Sequence, residues 1–197
     1  LIWIQVYRYY DQYVQKQKIV YLQKMANMDM LTEAMNRNAY ENMIKYLDEQ
    51  EIELRTTGVV LLDVDNLKEI NDNFGHEKGD EALKLCYQCI RRAFKNEKNC
   101  FRIGGDEFVV FVPSVGREIL ETRLQQLCEA FQQPYRNGSL IYQISGSVGA
   151  ALFPDDGKDY KTLLEHADEA LYEAKKRGKG RYMLYGQFPY PKENGEQ

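Results

Sequence analysis

No glycine and no proline occurs before Gly58, so nothing breaks a helix over the opening segment. Cysteine is scarce: Cys86, Cys89, Cys100 and Cys128 are too few for a disulfide scaffold and fit a reducing cytosol. Cys86 and Cys89 form a C-x-x-C, but it lies within a helical pattern and no second pair matches it. That favours buried thiols over a zinc site. An excess of positive charge is also missing; the formal charge of −4 argues against a nucleic-acid binder. The apolar opening LIWI is far short of the roughly 20 residues that span a bilayer. With no initiator Met, the chain is expected to be a piece of something longer. Trp3, Tyr7, Tyr9 and Tyr10 around Arg8 suit two settings equally, the cytoplasmic fringe of a transmembrane helix or an amphipathic helix with an aromatic face.

What is present suits one domain plus a short extension: 197 residues, 44% hydrophobic and 28% charged. Ile4, Tyr7, Asp11, Val14, Lys18, Tyr21, Met25 and Met28 follow the alternating 3-4 spacing of a coiled-coil seam with two polar breaks. A helix through about residue 28 that brings two copies together is expected. After it, Asn36 caps a helix whose face carries Ala39, Tyr40, Met43, Ile44 and Leu47. "GVVLLDVD" reads as a buried strand, and "NLKEINDNFGHEKGD" as a helical turn followed by a Gly-rich loop. A helix with Leu83, Cys86, Ile90 and Ala93 inward comes next. "CFRI" and "FVVFV" then form a hairpin around Gly104-Gly105-Asp106-Glu107. Residues 118–133 read as helix, "SLIYQISGSVGAALF" as one strand kinked at its glycines, and Asp159 caps a helix ending at Gly178. "RYMLY" is an edge strand and the tail after Gly186 is loose. The order predicts an α/β (α+β) domain, a mixed sheet with helices packed on it.

Asp63 ends the buried strand, where clefts open. If that strand pairs with the hairpin, Asp63, Asp106 and Glu107 converge, and such self-repelling carboxylates call for Mg²⁺ or Mn²⁺. The competing reading makes Asp106 and Glu107 solvated turn residues and Asp63 a helix cap. Lys68, Lys175 and Lys179 could neutralise a polyphosphate, although "KKRGKGR" is also a normal basic helix end. Asn71 and Asp80 have the donors and acceptors to read a guanine edge, or serve as turn residues.

These residues carry a resemblance. "GGDEF" (Gly104 to Phe108) is similar to the signature of the GGDEF family of diguanylate cyclases. So, in order and spacing, are "DMLTEAMNR" (Asp29 to Arg37), "DVDNLKEIND" (Asp63 to Asp72), "GHEKGD" (Gly75 to Asp80) and "ADEALYEAKKRGKGRY" (Ala167 to Tyr182). The resemblance implies a helical linker at 1–28, a cyclase domain at 29–186 and a tail at 187–197. It implies a ferredoxin-like core shared with nucleotidyl cyclases and polymerase palms, with a five-stranded mixed sheet behind an N-terminal signalling helix. Asp63, the Val64 carbonyl, Asp106 and Glu107 would hold two Mg²⁺ or Mn²⁺ ions on GTP. Asp106 would help deprotonate the attacking 3′-hydroxyl. Asn71 and Asp80 would read guanine, and His76 would contribute to the substrate site. Lys68, Lys175 and Lys179 would contact phosphates, with Lys68 stabilising the transition state. Two domains would meet as a homodimer and make cyclic di-GMP. The expected setting is cytoplasmic, as the output of a sensor upstream of Leu1, with inner-membrane anchoring one form of it. A catalytically silent module that binds GTP or a partner is the alternative.

Departures from the family pattern are few. Lys95-Asn96-Glu97-Lys98 stands where feedback-controlled members carry Arg-x-x-Asp, which predicts no product inhibition through that site. Gly180 replaces a common asparagine and Leu67 a common phenylalanine.

Overall fold

The computed structural model describes residues 2–49, 56–95, 99–137 and 140–187. The expectations for Asn96 to Lys98 and for the tail beyond Gln187 lie outside the described residues.

Strand β1 (Thr57–Val64) is central because nearly every residue of TGVVLLDV can be buried on one face or the other. It pairs antiparallel with β3 (Glu107–Pro113) and with β6 (Gly146–Phe153). The strand β2 (Cys100–Arg102) closes one edge on β3, and β7 (Tyr182–Leu184) lies parallel to β6 at the other. The sheet is therefore mixed and five-stranded, in the order β2-β3-β1-β6-β7.

The period-2 alternation of strands divides the core between two faces. Val60, Leu62 and Val64 join Phe108, Val110, Val148 and Ala150 beneath α4 (His76–Phe94) and α5 (Arg117–Phe131). Val59, with Val109, Phe111 and Ala151, packs under α2 (Arg37–Glu49) and α6 (Tyr160–Lys176). Each fully buried Leu or Phe contributes about 1.5–3 kcal/mol. Gly149 lets α6 lie directly on β6: a Cβ there would strike the Ala167 carbonyl and the Leu171 nitrogen.

Helix α1 (Ile2–Asn27) has no buried residue, and the seam residues Ile4, Tyr7 and Tyr21 are exposed. Its end is tied down by the segment after it. Asn36 Nδ2 donates to the Ala26 and Met28 carbonyls, Asn38 Nδ2 to Ala26, and Asn36 Oδ1 caps α2 by accepting from Ala39 N. Among the described residues no helix is long and apolar enough to cross a membrane.

Two expectations fail. "SLIYQISGSVGAALF" is not one strand: β5 (Leu140–Tyr142) pairs with β4 (Tyr135–Asn137) in a separate hairpin, and only β6 enters the main sheet. The break falls at Ser145, whose carbonyl accepts from Asp65 N and whose hydroxyl donates to Asp65, leaving the strand direction to do so. The expected helical turn is α3 (Leu67–Phe74), but the expected Gly-rich loop after it is the first turn of α4, and Gly75 alone separates the two helices. Gly75 has φ of 87°, a conformation open to glycine without steric cost, so one residue suffices for the turn.

Candidate active site

Asp63 shares a face of β1 with Val59, and so emerges on the α6 side at the strand's end. Its Cα partner across the ladder is Glu107. Asp106 is fixed one residue earlier by its carbonyl, which accepts from Val64 N at 3.0 Å. The hairpin turn is held by Arg102, whose guanidinium donates to the Gly105 carbonyl at 2.7 Å and to Asp29 Oδ1 at 3.0 Å. Neither Gly104 nor Gly105 has a positive φ. Gly104 instead gives clearance, since a Cβ on it would come within 2.5 Å of Glu107 Oε2.

The acids meet through the backbone and not as a ready cluster. Among the described residues no three acidic, His or Cys side chains stand close enough to hold one ion, although the strand register sets Asp63 opposite Glu107 with Asp106 beside it. Like charges repel, and Asp63 turns to a cation instead: Lys175 Nζ, in the last turn of α6, lies 2.7 Å from Asp63 Oδ2. Burial pushes the Asp63 carboxyl above its ordinary range; Lys175 opposes that rise, while Asp106 and Asp65 add to it. The oxygen donors available here, Asp63, Asp106, Glu107 and the Val64 carbonyl, suit a hard divalent cation. The cysteines do not compete. All are buried in the core, and burial drives their thiols upward, Cys128 to about 12.

Lys179, in the turn after α6, donates to Asn66 Oδ1 at 2.7 Å. Lys68 is in the first turn of α3 and not on a loop. Asn71 on α3 faces the start of α4, where a Cβ on Gly79 would collide with Asn71 Oδ1. Asp80 follows Gly79, and His76 is the first residue of α4. The structure thus gathers Asp63, Val64, Asp106, Glu107, Lys175 and Lys179 at the end of β1, with Asn71, His76 and Asp80 at the α3–α4 junction.

Sequence reasoning missed Gly79, Ser145 and Ser147. Gly79 had a visible signal, a glycine inside a helical pattern; the serines had none. Gly180 resolves one departure: its φ of 59° suits glycine or asparagine, so the substitution preserves the turn. Gln88, Arg91, Arg92 and Lys95 line a cavity of about 400 Å³.

A mixed five-stranded sheet carrying acids at the end of its central strand, with helices on both faces, is the palm-type architecture. The family described as "Diguanylate cyclase, GGDEF domain" matches residues 26–181, and the chain belongs to it. The chain is 38% identical over 166 residues to the diguanylate cyclase DosC of Escherichia coli, covering 80% of this chain and 35% of that protein. It is 34% identical over 164 residues to the cyclic di-GMP phosphodiesterase PdeR of Escherichia coli, covering 83% and 25%. It therefore spans about a third or less of these curated relatives. Among solved structures, the GGDEF domain of YfiN (TpbB) from Pseudomonas aeruginosa aligns with a TM-score of 0.69 at 30% identity, covering 80% and 94%. The coiled coil and GGDEF domain of DgcB from Caulobacter crescentus, in complex with c-di-GMP, shares the fold: TM-score 0.74, 24% identity, coverage 90% and 97%.

Proposed function

We propose that the chain is the catalytic part of a diguanylate cyclase, which joins two GTP into cyclic di-GMP and two pyrophosphates across a homodimer. The observation that carries this is the register of β1 on β3, which sets Asp63 opposite Glu107 with Asp106 bonded to Val64. Asp63, the Val64 carbonyl, Asp106 and Glu107 would hold Mg²⁺ or Mn²⁺, two per site. When bound, the ions supply charge neutralisation on the triphosphate.

In this reading Asp106 takes the proton from the 3′-hydroxyl of one GTP. The freed oxygen bonds to the α-phosphorus of the GTP on the partner domain. The bond from that phosphorus to its bridging oxygen breaks, and pyrophosphate leaves. Lys68, Lys175 and Lys179 balance the charge on the phosphates. Asn71 and Asp80 select guanine, with His76 at the edge of the same pocket. The same chemistry runs reciprocally, so two loaded domains must meet. The exposed α1 seam supports that pairing, with residues 1–28 as linker, 29–186 as the cyclase and 187–197 as a tail. An upstream sensor, membrane-anchored or not, belongs to the same reading.

A silent GTP-binding module is the second reading. PdeR is named a phosphodiesterase, and Asp63 is engaged by Lys175 rather than by fellow acids. Incubating purified protein with GTP and Mg²⁺, with and without forced dimerisation, separates the two. Cyclic di-GMP that disappears in Asp106→Ala or Glu107→Ala supports the cyclase. GTP binding without turnover in a verified dimer supports the silent module.

A further inference from the structure

Asp65 is among the few charged residues in the core, 4% exposed, and it touches no cationic side chain among the described hydrogen bonds and ion pairs. Its oxygens accept from neutral donors on other elements. Ser147 Oγ donates to Oδ1 at 2.7 Å; Ser145 Oγ and Gly180 N donate to Oδ2 at 2.6 and 3.0 Å. Its own N–H donates to the Ser145 carbonyl at 2.9 Å. One buried carboxylate therefore joins the end of β1, the start of β6 and the turn between α6 and β7.

The neighbours of these contacts are the proposed GTP ligands. Val64 precedes Asp65. Asn66 follows it, opens α3 in a left-handed conformation (φ 58°) and accepts from Lys179. Lys179 itself has φ of 61°, in the left-handed region that L residues rarely adopt, and it precedes Gly180. A buried carboxylate that accepts hydrogen bonds fixes its donors more strongly than a neutral acceptor. Lys179 N–H donates to the Ala174 carbonyl at 3.1 Å and Arg181 Nε to the Lys179 carbonyl at 3.2 Å, whereas the Gly180 N–H reaches out of the turn to the Asp65 carboxylate.

We infer that Asp65 is a positioning residue: it holds the Lys179–Gly180 turn at a fixed distance from the Asp63–Val64 strand end, and so sets the spacing between the cation-side and phosphate-side ligands of GTP. This rests on the proposed cyclase site. Asp65 contacts no reacting atom; it acts through Lys179. Of the two polar replacements, asparagine keeps a carbonyl for Ser145 and Gly180, while the Ser147 hydroxyl can rotate to accept from its amide. Alanine releases all three donors.

The test combines GTP affinity, a double-mutant cycle and amide exchange. Asp65→Ala is expected to weaken Mg²⁺–GTP binding about tenfold and Asp65→Asn about threefold, from lost charge-assisted bonds. Hydrogen exchange at the Gly180 amide speeds in the same order. Lys179→Ala alone costs about tenfold, but added to Asp65→Ala it costs at most about threefold more, because the first change has already displaced the lysine. Penalties that multiply would overturn the inference. So would unchanged exchange at Gly180, or a lowered melting temperature with GTP affinity intact. If Asp65→Ala does not fold, Asp65→Asn must raise exchange and weaken binding together, and failure of either overturns the proposal. Wild-type protein that binds no GTP sinks the cyclase reading instead, and exchange at Gly180 then still decides whether Asp65 holds the turn.

Discussion

Lys175 Nζ and Asp63 Oδ2 stand 2.7 Å apart, joining the last turn of α6 to the end of the central strand. The pair is a compromise. Burial raises the Asp63 carboxyl above its ordinary value, and Lys175 does not fully offset that rise. A raised carboxyl contributes stability that is present below about 3.8 and lost as pH climbs through the folded value. The charged Asp63 therefore costs stability at neutral pH. Asp63→Asn should melt higher than wild type at pH 7, by about 2–4 °C for each kcal/mol recovered, while losing the proposed cyclase activity. The difference in melting should close as pH falls through the raised Asp63 value, where the wild-type carboxyl takes up its proton. Equal or lower stability of Asp63→Asn at pH 7 would contradict this.

Asp29 behaves in the opposite sense. Burial alone would raise it, but bonds from the Thr32 hydroxyl and N–H, and from Arg102, hold it below its ordinary value. Its contribution is present above about 3.8 and lost as pH falls through the lower folded value. Asp29→Ala should cost about 1–3 kcal/mol in urea denaturation at pH 7. Because Arg102 also holds the Gly105 carbonyl, the variant should lower kcat as well.

Gly79→Ala separates helix propensity from site geometry. In a helix the change favours folding by up to about 1 kcal/mol. Here the new methyl must push Asn71 aside. On the proposed cyclase reading, the expected result is an unchanged or higher melting temperature with the KM for GTP raised about tenfold, from loss of the proposed Asn71 bond to the base. An unchanged KM would remove Asn71 from the guanine site.

The thiols should be inert. Burial raises Cys86, Cys89, Cys100 and Cys128 alike, and each is buried in the core. Iodoacetamide at pH 8 should label none in the folded protein and all after unfolding, since the thiolate is the reactive form. Zinc release on labelling would revive the metal reading of the C-x-x-C.

Strands were legible where alternation and β-branched residues coincide. "GVVLLDVD" and "FVVFV" became β1 and β3, but their antiparallel pairing, only a condition in the sequence, is set by the tertiary register. The first turn of α4 reads as a loop in the sequence because Gly75 and Gly79 look like punctuation, whereas only Gly75 breaks the helix. The β4–β5 hairpin was missed because its short strands leave the main sheet, and local pattern carries no information on which sheet a strand joins.

The residues that could do chemistry, the helical start and the central strands follow from local order alone, because periodicity and turn residues act over a few positions. Side-chain partners do not. Asp65 meets Ser147 82 positions away and Asp63 meets Lys175 112 positions away. Such partners are chosen only when the sheet sets its register and α6 docks, and burial then decides which charges are neutralised and by what.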